Sequence, residues 1–139
     1  MKTQVVVDKK SEQIICTAFA NGRQHDFRLF KESKVHVRPE AELVTDTGYQ
    51  GIAKLHANSA LPKKKSKKKP LTKEDKAFNR AISSQRVLNE HVVGRVKRFR
   101  IISEKYRNRR KRFLLRFNLI SAISNLNQIA LGLERGLFL

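Results

Sequence analysis

Apolar residues in the first half of the chain form short, nearly continuous runs bounded by turn residues. Residues 5–7 are three valines, and residues 14–19 are apolar except for Thr17. The polar residues 8–12 between them have turn chemistry, so the pattern predicts a β-hairpin. Because both runs are almost uninterrupted, we expect strands that are covered on both faces.

The segment after the hairpin predicts a short helix and then a strand. Asp26 is expected to cap a helix over residues 27–33, with Leu29 and Phe30 turned inward. A buried strand over residues 43–46, ending in a carboxylate, and a further helix over residues 50–57 are expected to follow.

Beyond residue 72 the apolar positions recur at helical spacing. Thr72 is a candidate N-cap, and Asp75 occupies the acid position of a capping box three residues later. On the first helix the expected apolar stripe is Leu88, Val92, Val96 and Phe99. A second helix is expected to begin near residues 108–111. Its stripe consists of Phe113, Phe117, Ile120, Ile123 or Ser124, and Asn127 or Gln128. The order of elements predicts an α/β fold, with long helices at the end of the chain, rather than a helical bundle.

The amino-acid composition favours a function in which the protein binds polyanions. Lys and Arg number 31 against 12 for Asp and Glu, which gives a formal net charge of +19. Nucleic acid is the expected partner because each cation that meets a phosphate releases counterions; the alternative is a solvated basic surface without a specific ligand. Cys16 is the single cysteine, which excludes an internal disulfide or a thiolate zinc site, and we expect it to be buried.

Two basic tracts are the candidate phosphate contacts. Residues 61–71 predict a lysine-rich loop bracketed by two prolines rather than a core element. The residues expected to bind DNA there and in the tract that joins the two long helices are Lys63, Lys64, Lys65, Lys67, Lys68, Lys69, Arg107, Arg109 and Arg110. No run of residues suits a signal peptide or a membrane span, so we expect a cytoplasmic protein without a membrane partner.

Arg86, Glu90 and Lys97 share one face of the first long helix. At 100° per residue, Glu90 lies about 40° and Lys97 about 20° from Arg86, away from the apolar stripe. An Arg86–Glu90 ion pair is one interpretation; a binding surface is the other. Asp46, at the end of a buried strand and before Gly48, suits either a ligand site or a turn that it merely caps.

Four segments resemble bacterial insertion-sequence transposases of the DDE group that is related to eukaryotic Harbinger elements. They are residues 21–33 (NGRQHDFRLFKES), 45–52 (TDTGYQGI), 86–97 (RVLNEHVVGRVK) and 104–113 (EKYRNRRKRF). The similarity runs from about residue 2 to residue 125, and the four motifs occur in the family's order and spacing. The resemblance implies a ribonuclease-H-like fold, truncated here.

The resemblance also implies roles for individual residues. Asp46 matches the second carboxylate of the catalytic triad and Glu90 the third, so both are expected to bind Mg²⁺ or Mn²⁺. Arg86 and Lys97 match the basic members of a Tyr-Arg-Glu-Lys signature whose tyrosine position holds Ser83 here. Carboxylates suit such a two-metal site because they bridge the ions that activate the nucleophile and stabilise the leaving oxygen.

The family's first carboxylate falls upstream of the segment that residues 1–139 match. We therefore expect a partial catalytic domain that binds DNA, including transposon ends, but does not cleave it alone. A complementing amino-terminal half or a full-length transposase are candidate partners. The alternative functions are a non-catalytic basic nucleic-acid-binding protein and a regulator of full-length transposase.

Overall fold

The structure, a computed structural model, describes residues 2–67, 69–103 and 110–137. In chain order the elements are β1 (Lys2–Val7), β2 (Ile14–Ala20), α1 (Asp26–Ser33), β3 (Leu43–Val44), two 3₁₀ turns (Thr47–Tyr49 and Ile52–Lys54), β4 (Ser59–Ala60), α2 (Lys73–Lys97), α3 (Arg100–Ser103) and α4 (Arg110–Leu137). The α/β class is confirmed. Short sheets beside long helices are consistent with part of a ribonuclease-H-like fold.

β1 and β2 form the expected hairpin, because a connection this short cannot make a parallel crossover. Asp8 closes the turn: its N–H donates to Gln13 O and its carbonyl accepts from the Glu12 N–H, each at 2.9 Å. The Asp8 carboxylate accepts from the Ser11 hydroxyl and N–H, and these bonds lower its pKa. The expectation of strands covered on both faces is wrong, since Ile15 is 65% exposed. Cys16 is half-buried rather than buried.

The chain divides into two compact units, which are described separately. The first comprises Met1–Gln4 and Ala20–Val87, and the second comprises Val5–Phe19 and Leu88–Leu139. The first unit is built around α1, whose Leu29 and Phe30 are buried as predicted. β3 pairs in parallel with β4, with Leu43 opposite Ser59.

The second unit has its own apolar core, formed by one face of α2, α3 and α4 together with Ile14 of β2. Val92 and Val96 are completely buried, so this part of the predicted α2 stripe is confirmed. Phe117 and Ile120 confirm the stripe of α4, and Phe117 meets Phe19 edge-on at 5.4 Å between ring centroids. Phe99 is partly exposed instead, because α2 ends at Lys97 and the chain turns before α3 begins.

Of two expectations about where helices begin and end, one is confirmed and the other is wrong. The predicted capping box is confirmed: Thr72 Oγ1 accepts from the Asp75 N–H at 3.1 Å, and Asp75 Oδ2 accepts from the Thr72 N–H at 3.2 Å. The helix over residues 50–57 is wrong. Gly51 adopts φ +95°, and only the single 3₁₀ turn Ile52–Lys54 follows it. Within the described ranges, no helix has both the length and the hydropathy to cross a bilayer.

Candidate functional site

Asp46 lies two residues beyond the carboxyl end of β3 and is the N-cap of the first 3₁₀ turn. The predicted buried strand over residues 43–46 is thus shorter, Leu43–Val44, and only half-buried. The preceding Thr45 is buried, whereas the Asp46 side chain is partly exposed. Its Oδ1 accepts the N–H of Gly48, so the side chain caps the turn Thr47–Tyr49. The turn-capping interpretation is thus confirmed as geometry. It leaves the second carboxylate oxygen directed away from the turn, so capping and ligand binding are compatible.

Arg86 contacts that second oxygen. Its Nη2 lies 3.3 Å from Asp46 Oδ2, which joins α2 to the end of β3. Both side chains are about one-third to one-half exposed, so the pair adds less than about 1 kcal/mol to stability. The predicted Arg86–Glu90 ion pair within the helix does not occur among the described residues.

Asp26 lies on the other side of the same turn and was misinterpreted from the sequence. It does not cap α1, which begins at Asp26 itself with His25 as an N-cap that makes no side-chain bond. Instead its Oδ1 pairs with Lys2 Nζ at 3.0 Å. Oδ2 lies so close to Gly48 that a Cβ there would come within 2.5 Å of it. A carboxylate therefore packs on each side of Gly48.

Tyr49 is a half-buried residue of this cluster, and its pKa depends on burial and on the nearby carboxylates. Its ring packs edge-on against Phe30, with centroids 6.3 Å apart, and its hydroxyl lies 3.5 Å from Gln4 Oε1. Burial raises the pKa of the Tyr49 phenol to about 12, and the negative charges of Asp26 and Asp46 act in the same direction. Two carboxylates and two cations, Lys2 and Arg86, are thus gathered around one turn.

Glu90 and Lys97 lie on an open face of α2 in the second unit. Together with Asn89, Val93 and Gly94 they line a shallow groove of about 230 Å³. The Glu90 side chain is exposed, and it makes no hydrogen bond or ion pair with the side chain or backbone of any described residue. The helical phase that placed these two residues on one face is therefore confirmed, while their role as a binding surface stays a prediction.

The lysines of the basic loop differ in their availability. Lys63 is fixed to α2: its N–H donates to Asn79 Oδ1 at 2.8 Å, and its ammonium pairs with Asp75 at 2.5 Å. The other described lysines of the loop are exposed: Lys64, Lys65, Lys67 and Lys69. Arg110 is the first described residue of α4, and the predicted contacts Lys68, Arg107 and Arg109 lie outside the described residues. The exposed lysines are therefore the stronger candidates for phosphate contacts.

The donor chemistry of Asp46 and Glu90 suits a divalent cation, because Mg²⁺ and Mn²⁺ prefer carboxylate oxygens. Across residues 2–67, 69–103 and 110–137, no three His, Cys, Asp or Glu side chains are grouped so that they could hold a metal ion. Each of the two carboxylates, taken by itself, therefore fits such an ion by its donor chemistry.

Comparisons with known proteins agree with one another. The family model described as DDE superfamily endonuclease matches residues 1–133. A curated protein from Microchaete diplosiphon, the probable transposase for insertion sequence element IS702, is 50% identical over 125 residues. That match covers 90% of this chain, and the chain spans 45% of the length of that relative. No solved structure matches the chain.

Proposed function

The chain belongs to the family of DDE superfamily endonucleases, and we propose on that basis that it is part of the catalytic domain of an insertion-sequence transposase. In the complete enzyme it takes part in metal-dependent cleavage of a DNA strand and transfer of that strand to a new site. Residues 1–139 act as one part of that domain, and residues 61–71 form a basic loop within it.

Asp46 and Glu90 are the catalytic residues in this proposal. DDE superfamily endonucleases generally use divalent metal ions, and Asp46 and Glu90 would supply carboxylate oxygens to Mg²⁺ or Mn²⁺. Ions held there would supply the chemistry that activates the attacking oxygen and stabilises the leaving oxygen of the phosphodiester. The observation that carries the proposal is the position of Asp46, a partly exposed carboxylate just beyond the end of a parallel strand, where α/β proteins bind their ligands.

Arg86 and Lys97 bind DNA phosphates beside these carboxylates. In this structure Arg86 is paired with Asp46. The pair is partly exposed and weak, so a phosphate can draw the guanidinium away at little cost. Lys97 borders the same groove as Glu90, where its ammonium offsets the carboxylate charge. Both cations thus offset the charge of the carboxylates when DNA is absent and the charge of the phosphates when DNA is bound.

The first carboxylate of the triad, which neither Asp46 nor Glu90 matches, lies outside these 139 residues in this proposal. A complementing amino-terminal half supplies it, and the transposon ends are the DNA partner. In this proposal the protein acts on chromosomal DNA in the bacterial cytoplasm, at the nucleoid.

Strand cleavage by a completed transposase tests the proposal, meaning this chain joined to the part of the IS702 relative that it does not cover. We expect Asp46→Asn and Glu90→Gln each to lower the cleavage rate by at least about 10³-fold, because each removes a metal ligand from the reacting centre. Binding to transposon-end DNA persists in both, since the basic residues are untouched.

Glu74→Gln is the matched control. Glu74 is an exposed carboxylate in the first turn of the same helix, so its replacement changes the net charge equally. We expect this variant to cleave at nearly the original rate. Cleavage that survives Glu90→Gln would contradict the assignment.

A non-catalytic role is the second candidate, and the charge of +19 favours it. In that role the chain binds nucleic acid through its basic loop, or pairs with full-length transposase and inhibits it. Asp46→Asn and Glu90→Gln would then leave both DNA binding and inhibition unchanged.

A further inference from the structure

Gly94 lies within α2, although glycine destabilises a helix relative to every residue except proline. Two common reasons for a glycine do not apply at this position. Its φ is not positive, since among the described glycines only Gly51 has a positive φ. A Cβ added at Gly94 would meet no described atom within 4 Å, apart from the adjoining backbone of the helix. The packing of the described residues therefore does not require a glycine here.

The exposed backbone at Gly94 is on the side of α2 that faces away from the core. Val92 and Val96 are completely buried, and each lies two residues and thus about 160° around the helix axis from Gly94. Gly94 itself is exposed, and it lines the shallow groove together with Glu90 and Lys97. At this point the surface of α2 is main chain, with no side chain to hold a ligand away from the helix.

Long polar side chains surround this position. The nearest neighbours on a helix surface are three and four residues away. Around Gly94 they are all exposed: Glu90, His91, Lys97 and Arg98. Helical hydrogen bonding continues as far as Arg98, whose N–H donates to Gly94 O at 3.2 Å. Two cations therefore lie one turn after Gly94, and the Glu90 carboxylate lies one turn before it.

The charge of this part of the chain indicates what kind of ligand the position accepts. From residue 86 to residue 100 there are five Arg or Lys residues and a single acid, Glu90. Charge complementarity thus favours an anionic ligand at the cationic end of the groove. Lys97 and Arg98 suit phosphate oxygens, to which ammonium and guanidinium groups donate charge-assisted hydrogen bonds.

We propose that a phosphodiester of the bound DNA lies against the main chain of α2 at Gly94, where Lys97 and Arg98 bind its oxygens. The missing side chain determines how closely this phosphodiester approaches Glu90, because glycine permits a backbone to come close to a ligand. Gly94 and Arg98 thereby become parts of the DNA-binding surface. This inference rests on the proposed function, since it takes DNA as the substrate.

Uncharged side chains of increasing size at residue 94 of the completed transposase test the contact. Gly94→Ala and Gly94→Gln keep every charge, and both favour the helix, so the fold is preserved. We expect Gly94→Gln to weaken binding to a transposon-end duplex by about tenfold, and Gly94→Ala by less, in fluorescence anisotropy. The slope of log affinity against log salt concentration should flatten by about 0.9 for each phosphate contact that is lost, although no charge is removed.

Gly132→Gln is the matched control. Gly132 is an exposed glycine of α4 with open space around it, but its neighbours one turn earlier, Gln128 and Ile129, are uncharged. This variant should gain helix stability in a thermal melt and keep the original DNA affinity and salt slope. Equal affinities and slopes in Gly94→Gln and Gly132→Gln overturn the proposal.

A double variant separates a lost contact from a general disturbance. Arg98→Gln should weaken DNA binding by itself, because it removes a cation from the phosphodiester. Since Gly94→Gln breaks the same contact, the double variant should bind nearly as well as the weaker of the two single variants. Fold-changes that multiply would show that the two residues act independently, which contradicts the shared contact.

Cleavage distinguishes this proposal from the catalytic assignment. At saturating DNA, Gly94→Gln should cleave about 10²-fold more slowly, because displacement of the phosphodiester by about 1 Å has an effect of that size. Cleavage at the original rate overturns the placement of the phosphodiester beside Glu90. Cleavage by Glu90→Gln contradicts the proposed function, whereas the binding measurements on Gly94→Gln decide the contact at Gly94 in either case.

Discussion

The absence of a side chain at residue 48 is what allows two carboxylates to approach one turn. The Gly48 N–H donates to Asp46, and the Asp26 carboxylate packs against its Cα. Asp26 is itself held by Lys2. The catalytic candidate Asp46 is thus oriented through Gly48, by a neighbour that lies 20 residues earlier in the chain.

Gly48→Ala should destabilise the first unit and disturb Asp46. The new methyl group would lie 2.5 Å from Asp26 Oδ2 and 3.3 Å from Asp26 Cβ, so the α1 side chain has to move. We expect the free energy of unfolding to fall by about 1 to 3 kcal/mol, the usual range for an added methyl group in a packed site. Urea denaturation followed by circular dichroism measures it.

Gly94→Ala is the opposite case and serves as control. Gly94 lies within α2, and a Cβ there has open space around it. Replacing a helical glycine by alanine in the open should stabilise the protein by up to about 1 kcal/mol. An equal decrease of stability in the two variants would show that the close approach to Asp26 is not the cause.

At the residue scale, the sequence predicts the features of the site that depend on the geometry of a single helix. Helical phase placed Glu90 and Lys97 on one face, and they do line one groove. It could not identify the partner of Arg86, because Asp46 is 40 residues away along the chain. The interpretation of Asp26 as a cap failed for the same reason, since Lys2 approaches it only after the chain has folded.

The start of α2 shows how well local rules predict an element. Thr72 and Asp75 form the capping box that their spacing predicts, and α2 begins one residue after Thr72. The helix expected over residues 50–57 fails because Gly51 takes a left-handed conformation. Long-range bonds also hold that region: His56 Nε2 contacts Ala41 O at 2.7 Å, and Asn58 donates to Glu40 O at 3.1 Å. No local pattern encodes those partners.

The capping box makes stability depend on pH through Asp75. Its hydrogen bonds to Lys63 and Thr72 lower the pKa of the carboxyl below its ordinary value of 3.8. A carboxyl with a lowered pKa stabilises the fold above that ordinary value, and this contribution disappears as pH falls further. The melting temperature of the original chain should therefore exceed that of Asp75→Asn at about pH 6, and the difference should shrink towards about pH 2. A difference independent of pH would contradict this role.

The exposed lysines of the basic loop should contribute strongly to DNA binding. Replacing Lys64, Lys65 and Lys67 by Gln removes three candidate phosphate-binding cations. The slope of log affinity against log salt concentration should then flatten by about 0.9 for each phosphate that is no longer neutralised, or about 2 to 3 in all. Fluorescence anisotropy with a short duplex measures this slope.

A triple variant at Lys9, Lys10 and Lys54 is the control. These lysines are also exposed, so replacing them by Gln lowers the net charge equally. The slope should change by less than about 1 if the loop binds the phosphates. Equal effects of the two triple variants would mean that overall charge, and not the loop, determines binding.

At the scale of the molecule, the basic charge and the absence of a three-ligand metal group among the described residues predict binding without cleavage. The net charge of +19 suits tight, salt-dependent contact with any DNA duplex. The described residues bring no three metal-binding side chains together. The purified chain should therefore retard supercoiled plasmid in a gel and leave it uncut in Mg²⁺ or Mn²⁺. Robust nicking by pure protein would contradict this expectation.

The sequence predicted the class of the whole molecule better than its division into units. Alternating strand and helix patterns indicated α/β, and four motifs in order indicated the family, because both are properties of long stretches of chain. The two compact units each combine segments that are distant in sequence, such as residues 5–19 with the helices after residue 88. Pairings of that kind depend on tertiary packing, which short-range periodicity does not contain.

Direct measurement of Mn²⁺ binding tests whether Asp46 and Glu90 serve one metal centre. Electron paramagnetic resonance of the completed transposase, titrated with Mn²⁺, gives the free and bound fractions. We predict that Asp46→Asn and Glu90→Gln each weaken Mn²⁺ binding by at least about tenfold, because each removes an oxygen ligand, while Glu74→Gln leaves it unchanged. Mn²⁺ affinities that are the same in the original protein and in both carboxylate variants would contradict the assignment of these two residues to a metal centre.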